Sequence, residues 1–251
     1  MKLAPWPYPL WIAHRGAGKL APENTLAAFR LGAQHGYDAF ECDVKLSADD
    51  VPFLLHDAAL ARTTRVEGVA GERLWAELSQ LDAGGWHSRR YAGEPMATLA
   101  AIAHYVRRNR YALNIEIKPT PGHEERTGRI VARDAARLWL HDPRPPLLSS
   151  FQPQSLQAAR DAAPALPRAL LLDSLWHGWF EQAQALGCVA VVADHPLFDA
   201  AMVERLHSSG LRALAYTVND DAVAQSLLAF GIDGLITDAV DHFVPHPQPL
   251  P

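Results

Sequence analysis

The strongest constraint on the fold of this chain is a rhythm. A short apolar run ends in polar residues, an alanine-rich helical stretch follows, and the pair repeats. LWIAH at 10–14 reads as a strand. PENTLAAFRLGAQHG at 22–36 reads as a helix that starts near Asn24 or Thr25 and stops at Gly36. FECDVKL (40–46), VPFLLH (51–56), ALNIEIK (112–118) and LLSSF (147–151) are strand-like. RALLL (168–172), CVAVVA (188–193), RALAYTV (212–218) and DGLIT (233–237) continue the series. Helices are expected at 98–110, 124–140, 155–163, 178–186, 199–209 and 220–230. About eight core strands alternating with helices call for a parallel sheet, because parallel neighbours need a helical crossover. Over 251 residues this predicts the α/β class and a TIM (β/α)8 barrel, with an open doubly wound sheet second. HRGAGKLAPEN, after the first strand, lacks the glycine spacing of a dinucleotide loop, which counts against the second.

One stretch breaks the rhythm. Residues 57–97 are too many for a simple loop and carry turns at Glu67–Gly68, Gly71 and Gly84–Gly85. The expectation is one domain over 1–251, with this stretch as a small insertion over the C-terminal mouth of the barrel. The tail VPHPQPLP (244–251) is expected to be frayed or extended.

Composition narrows the function classes. With 49% hydrophobic and 20% charged residues, the chain is globular rather than disordered. A net charge of -5 leaves no basic excess for nucleic-acid binding. Cys42 and Cys188 have no partners at metal-ligand spacing and read as buried, reduced thiols. No run reaches the length of a membrane span, and the proline-broken N-terminus carries no signal-like stretch. Stable membrane insertion is not expected, and a cytoplasmic location is. Trp176, Trp179 and Phe180 would suit core, pocket rim or interface equally, so the sequence leaves the oligomeric state open.

Function is carried by what stands at strand ends, since the functional face of such a barrel is built there. His14 and Arg15 end the first strand, and His56 and Asp57 end the short extra one. Glu116 and Lys118 end NIEIK, while Asn219 and Asp238 follow the last two strands. Glu41 and Asp43 are two apart, so they share a face and Cys42 takes the other. Unless something neutralises them, three converging carboxylates should see their pKa values raised by burial and like charge. A hard divalent cation would relieve that repulsion, and Mg²⁺ or Ca²⁺ suits oxygen donors. The bland alternative is an ion network with Arg or Lys. His14 and His56 titrate near neutrality and so suit proton transfer, whereas most of the twelve histidines read as structural or solvent-facing. Arg15 and Lys118 add donors for phosphate oxygens. Together these groups describe a site for a phosphate ester. Asp194–His195 reads as a structural turn rather than a second catalytic pair.

These residues resemble the glycerophosphodiester phosphodiesterases, of the cytoplasmic bacterial type. The resemblance rests on HRGAGKLAPENT (14–25), FECDVKLSADDVPFLLHD (40–57), LARTTRVEG (60–68) and GGWHSRRYAGEPMATLAAI (84–102). It continues through LNIEIKP (113–119), SSF (149–151), YTVN (216–219) and GIDGLITD (231–238). It implies a TIM barrel with a small insertion and one divalent cation, Mg²⁺, Ca²⁺ or Mn²⁺, on Glu41, Asp43 and Glu116. It implies His14 and His56 as the acid/base pair, Arg15 on phosphate, and Lys118 on the charge that develops there. Glu23 and Asn24 would shape the first loop, with helix capping as the alternative for Asn24. Phe151, Tyr216 and Asn219 would border the substrate, with Tyr216 standing where many relatives carry Trp. The implied reaction is metal-dependent hydrolysis of a small-molecule glycerophosphodiester to sn-glycerol 3-phosphate and an alcohol. The nucleophile is left open between water and the neighbouring glycerol hydroxyl. The rivals are lysophospholipase D-like cleavage of lipid phosphodiesters and a non-catalytic phosphate-binding barrel.

Overall fold

The computed structural model describes residue 3 and residues 5–245. The strands are β1 (Trp11–Ala13), β2 (Ala39–Leu46), β3 (Pro52–Leu54), β4 (Ala112–Ile117), β5 (Leu147–Ser150), β6 (Arg168–Leu172), β7 (Ala190–Asp194), β8 (Arg212–Tyr216) and β9 (Gly234–Thr237). Between them lie α1 (Leu26–Gln34), α2 (Ala61–Thr64), α3 (Trp75–Leu78), α4 (Leu99–Arg108) and α5 (Glu124–Leu138). The series ends with α6 (Pro153–Ala162), α7 (Trp179–Ala185), α8 (Ala200–Ser208) and α9 (Asp221–Phe230). All strands but β3 run parallel, and β1 pairs with both β2 and β9, so the sheet closes on itself. This is the TIM barrel that the alternation predicts. The extra strand is real but short, and it lies antiparallel on β2 beyond the ring.

The barrel has two apolar layers because its strands are buried on both faces. Ile12, Ala169, Leu171, Val192, Leu214 and Ile236 fill the inside. Phe29, Phe40, Cys42, Ile102 and Ile115 pack between strands and helices, so Cys42 faces the helices as its place between Glu41 and Asp43 requires. Burying Phe29 or Phe40 contributes about 1.5–3 kcal/mol each. Both cysteines are free and buried. Trp6 and Tyr8 close the opposite end of the barrel, edge to face at 4.7 Å, and the Tyr8 hydroxyl donates to Pro145 O.

Helix ends follow local chemistry. Thr25 caps α1, its hydroxyl accepting from Ala28 N at 3.3 Å, so the capping role falls to Thr25 and leaves Asn24 free for another task. Helix α6 begins at Pro153, before the expected 155, because proline is tolerated in the first turn. Asp194 ends β7 and His195 opens a single 3-10 turn, as expected of a structural turn.

Residues 57–97 form α2, α3 and two 3-10 turns around a satellite core of Phe53, Leu60, Leu78 and Met96. This insertion docks at the C-terminal mouth, against the loop after β1. His87 Nε2 lies 3.0 Å from Lys19 O, and Glu94 accepts from Ala27 N. Among the described residues no helix is long and apolar enough to cross a membrane. The expected frayed tail lies almost wholly outside them. Trp179 is buried in the outer core, whereas Trp176 is exposed.

Candidate active site

The acids come together at the C-terminal mouth. Asp43 on β2 stands in register with Glu116 on β4, and Glu41 shares the face of Asp43. One carboxylate oxygen from each lies within 4.8 Å of the other two, and the side chains belong to residues 4%, 1% and 9% exposed for Glu41, Asp43 and Glu116. Burial and the neighbouring Asp43 charge raise Glu41 to about 8 and Glu116 to about 7. Asp43 goes the other way, because it is the acid of the three that both Arg15 and Lys118 neutralise. Burial acts to raise it, but Arg15, Lys118 and His56 and the Asn24 hydrogen bond hold it well below the usual carboxylate range. Two buried acids are thus left poorly compensated beside a third that is ionised. Such a set of hard oxygens fits a hard divalent cation, and no thiol or imidazole belongs to it.

Each histidine is held by its own carboxylate. His14 Nδ1 lies 2.7 Å from Asp238 Oδ1, and its Nε2 lies 3.8 Å from Glu41 Oε2. His56 Nδ1 lies 2.7 Å from Asp57 Oδ1. Burial works against a charge on His14, yet the Asp238 hydrogen bond and the Glu41 carboxylate outweigh it and lift its pKa. Burial lowers the pKa of His56, helped by Arg15 and Lys118, although Asp43 and Asp57 pull upward.

The cations are threaded among the acids. Arg15 N donates to Glu41 Oε2 at 3.1 Å, and Nη1 donates to Glu23 Oε1 at 2.9 Å. Its Nε is 3.1 Å from Asp43 Oδ2, an ion pair whose angle falls short of a hydrogen bond. Lys118 Nζ donates to Glu116 Oε1 at 2.8 Å and lies 3.5 Å from Asp43 Oδ1. Asn24 grips Asp43 twice, donating from Nδ2 to Oδ2 and accepting from its N–H. Arg15 and Asn24 both sit at left-handed φ, +50° and +61°, which is uncommon for residues with side chains and is held here by these bonds.

A cavity of about 190 Å³ opens on this cluster, bordered by His14, Arg15, Glu41, His56, Glu116 and Lys118. Phe151, Leu171, Tyr216 and Ile236 supply its apolar wall. The Tyr216 hydroxyl donates to Leu172 O, which fixes the ring, and Phe151 meets that ring edge to face at 6.0 Å.

Four expected site residues do not border the cavity: Asp43, held by Asn24, Arg15 and Lys118, and three others. Glu23 bonds Arg15 and Arg62, Asn24 bonds Asp43, and Asn219 Oδ1 accepts from Asp238 N at 2.8 Å and from Thr237 Oγ1. The geometry places them behind the groups that do. Besides Asp57, which holds His56, two residues given no role from sequence prove to be placed with the site. Asp238 holds His14, and Arg62 forks onto both Glu23 and Asp57 with contacts of 2.6–2.8 Å. The position of Asp238 at a strand end was the available signal for the first. The second lies within LARTTRVEG, one of the segments that carry the resemblance, and that was its only signal.

Hard oxygen donors beside donors suited to phosphate, at the mouth of a closed α/β barrel, define a class: barrel hydrolases of phosphate esters. The profile of the glycerophosphoryl diester phosphodiesterase family matches residues 14–242, and the chain belongs to that family. It is 33% identical to Bacillus subtilis YhdW over 240 residues, covering 93% of this chain and 96% of that one. It is 32% identical to a glycerophosphodiester phosphodiesterase of Caldanaerobacter subterraneus, with 91% and 93% covered. Among solved structures, an Oleispira antarctica phosphodiesterase in complex with the product sn-glycerol-3-phosphate superposes with a TM-score of 0.87 at 33% identity, covering 94% of this chain and 95% of that one. The Agrobacterium tumefaciens glycerophosphodiester phosphodiesterase gives 0.79 at 28% identity, covering 95% and 100%.

Proposed function

We propose that this chain is a glycerophosphodiester phosphodiesterase that works as a single domain and hydrolyses its substrate to sn-glycerol 3-phosphate and an alcohol. The observation that carries the reading is the likeness, along nearly the whole chain, to a phosphodiesterase solved with that product. The cation we assign to Glu41, Asp43 and Glu116 is Mg²⁺ or Ca²⁺, with Mn²⁺ a third fit to an all-oxygen set. When bound, it withdraws charge from a phosphate oxygen.

The chain's own residues do the rest. Arg15 and Lys118 orient the phosphate and balance the charge that builds on its oxygens. The bond from phosphorus to the alcohol oxygen breaks as a bond forms to the nucleophile, which is water or the neighbouring glycerol hydroxyl. His14, made the stronger base by Asp238, takes the nucleophile's proton at Nε2. His56, with its lowered proton affinity, is the stronger acid and gives a proton from Nε2 to the departing alkoxide. Tyr216 and Phe151 wall the cavity on its apolar side. Two buried unpaired thiols suit the reducing cytoplasm, where we place the enzyme.

The test is turnover in folded variants. His14→Ala and His56→Ala should each lose kcat by about a hundredfold or more while circular dichroism stays unchanged. Near-normal turnover in either variant would remove that histidine from the mechanism. A transient cyclic glycerophosphate in phosphorus NMR would identify the glycerol hydroxyl as nucleophile, and its absence under single turnover would identify water.

A further inference from the structure

Lys45 is a buried cation that the proposed chemistry does not use. It follows Glu41 and Asp43 on the same face of β2 and is 2% exposed. Its Nζ donates to Lys118 O at 3.0 Å, which occupies one of three donor hydrogens. Asp43, Glu116 and Asp57 act on it from a distance, but it forms no ion pair among the described residues. A buried ammonium without a carboxylate beside it is costly to keep unless something pairs with it.

Lys45 borders a second chamber of about 330 Å³, which opens beside the catalytic cavity. The two share His56, Glu116, Lys118 and Phe151, so a substrate with its phosphate at those residues can place one arm in each. Pro119, Pro121 and Gln152 form the outer wall of the second chamber. His56, the proposed proton donor to the departing oxygen, stands at the junction.

We propose that this outer chamber is the subsite for the departing alcohol, and that Lys45 makes it select alcohols bearing oxygen acceptors, hydroxyl or carboxylate, over those bearing a quaternary ammonium. The reading rests on the proposed phosphodiesterase activity and specifies which diesters it acts on. A second observation supports it. A quaternary ammonium is recognised by open aromatic faces. Phe151, which with the His56 imidazole makes up the aromatic lining of the chamber, already has the Lys118 ammonium over it at 5.5 Å. The chamber therefore lacks an aromatic cage, and its buried donor Lys45 shares the lining with the carboxylates of Glu116 and Glu124, which also border it.

The test compares glycerophosphoglycerol with glycerophosphocholine, measuring kcat/KM on the full-length, metal-loaded enzyme. A charged donor to an oxygen acceptor predicts that the wild type favours the glycerol-bearing diester by about tenfold or more. Lys45→Met, of similar length and uncharged, should bring that ratio close to unity, chiefly through KM. Lys45→Arg should retain most of it and guards against loss through misfolding. An equal fall for both substrates in Lys45→Met would overturn the proposal, because Lys45 would then act on the shared phosphate or on the fold. A wild-type preference for the choline diester would overturn it too. Hydrolysis of neither diester by the wild type would instead remove the phosphodiesterase reading itself, and the subsite with it.

Discussion

His14 and Asp238 lie 224 residues apart in the chain and 2.7 Å apart in the barrel. Ring closure brings them together, because β1 pairs with β9 and His14 N donates to Thr237 O at the seam. The His14 imidazole is therefore aligned by the residue that follows the last strand of the fold.

That pairing predicts a pH effect. Asp238 raises the proton affinity of His14 against the opposing effect of burial. Asp238→Asn removes the charge and must lower the pKa of His14. The reactive form, His14 neutral and His56 protonated, is the minority form because His14 holds its proton more tightly, so the kcat/KM profile should be a bell with the lowered His56 on its acid limb and the raised His14 on its alkaline limb. At saturating metal, Asp238→Asn should move the alkaline limb to lower pH, leave the acid limb in place, and reduce kcat by about a hundredfold or more. A shift of the acid limb alone would assign the pair wrongly.

Metal binding should release protons. Without a cation Glu41 titrates at about 8 and Glu116 at about 7, so both carry protons at pH 6. A cation needs both ionised, so its affinity should climb from pH 6 to 8 and level off above. Calorimetry in buffers of different ionisation enthalpy should find up to two protons displaced per ion at pH 6 and nearly none at pH 9. A pH-independent affinity would mean that these carboxylates are not the ligands.

Arg62 links the insertion to the chemistry. It bonds Glu23, which bonds Arg15, and it bonds Asp57, which holds His56. It does not border either chamber. Arg62→Ala should therefore lower kcat between about tenfold and a hundredfold through misplaced partners, with little change in KM. Arg62→Lys should recover only part, because a single ammonium cannot reproduce the fork. A large rise in KM with normal kcat would make Arg62 a direct substrate contact.

Gly18 packs the loop after β1 on the turn after β9. It sits at φ +55°, and a Cβ there would fall 2.1 Å from Asp238 O. Gly18→Ala should cost more than about 1 kcal/mol in urea unfolding, and it should slow turnover by displacing Asp238. Unchanged stability would show that the loop yields freely.

The parts of this site that local patterns carry were legible in the sequence. The period-two spacing of Glu41 and Asp43 placed both on one face, and strand ends placed His14, Arg15, His56, Glu116 and Lys118 at one mouth. The same spacing reaches Lys45, whose role emerges only from the chamber it borders. What sequence could not supply was distance. The depressed pKa of Asp43 follows from two cations within 3.1 and 3.5 Å, where a count of nearby acids alone implies a rise. Asn24 and Asn219 are near the site but turned to Asp43 and to the Asp238 backbone, a distinction made by side-chain direction alone. Arg62 reaches the site through an insertion whose packing has no periodic signal.

The central claim is that this barrel releases sn-glycerol 3-phosphate in a reaction that needs a cation on its three carboxylates. The most direct measurement is an enzyme-coupled assay of glycerol 3-phosphate release from a panel of glycerophosphodiesters, run with metal-stripped protein and after adding back Mg²⁺, Ca²⁺ or Mn²⁺. The account predicts no release from stripped protein, recovery with at least one of these ions, and no recovery in Glu41→Gln. Full release in excess chelator, with no metal retained by elemental analysis, would contradict it.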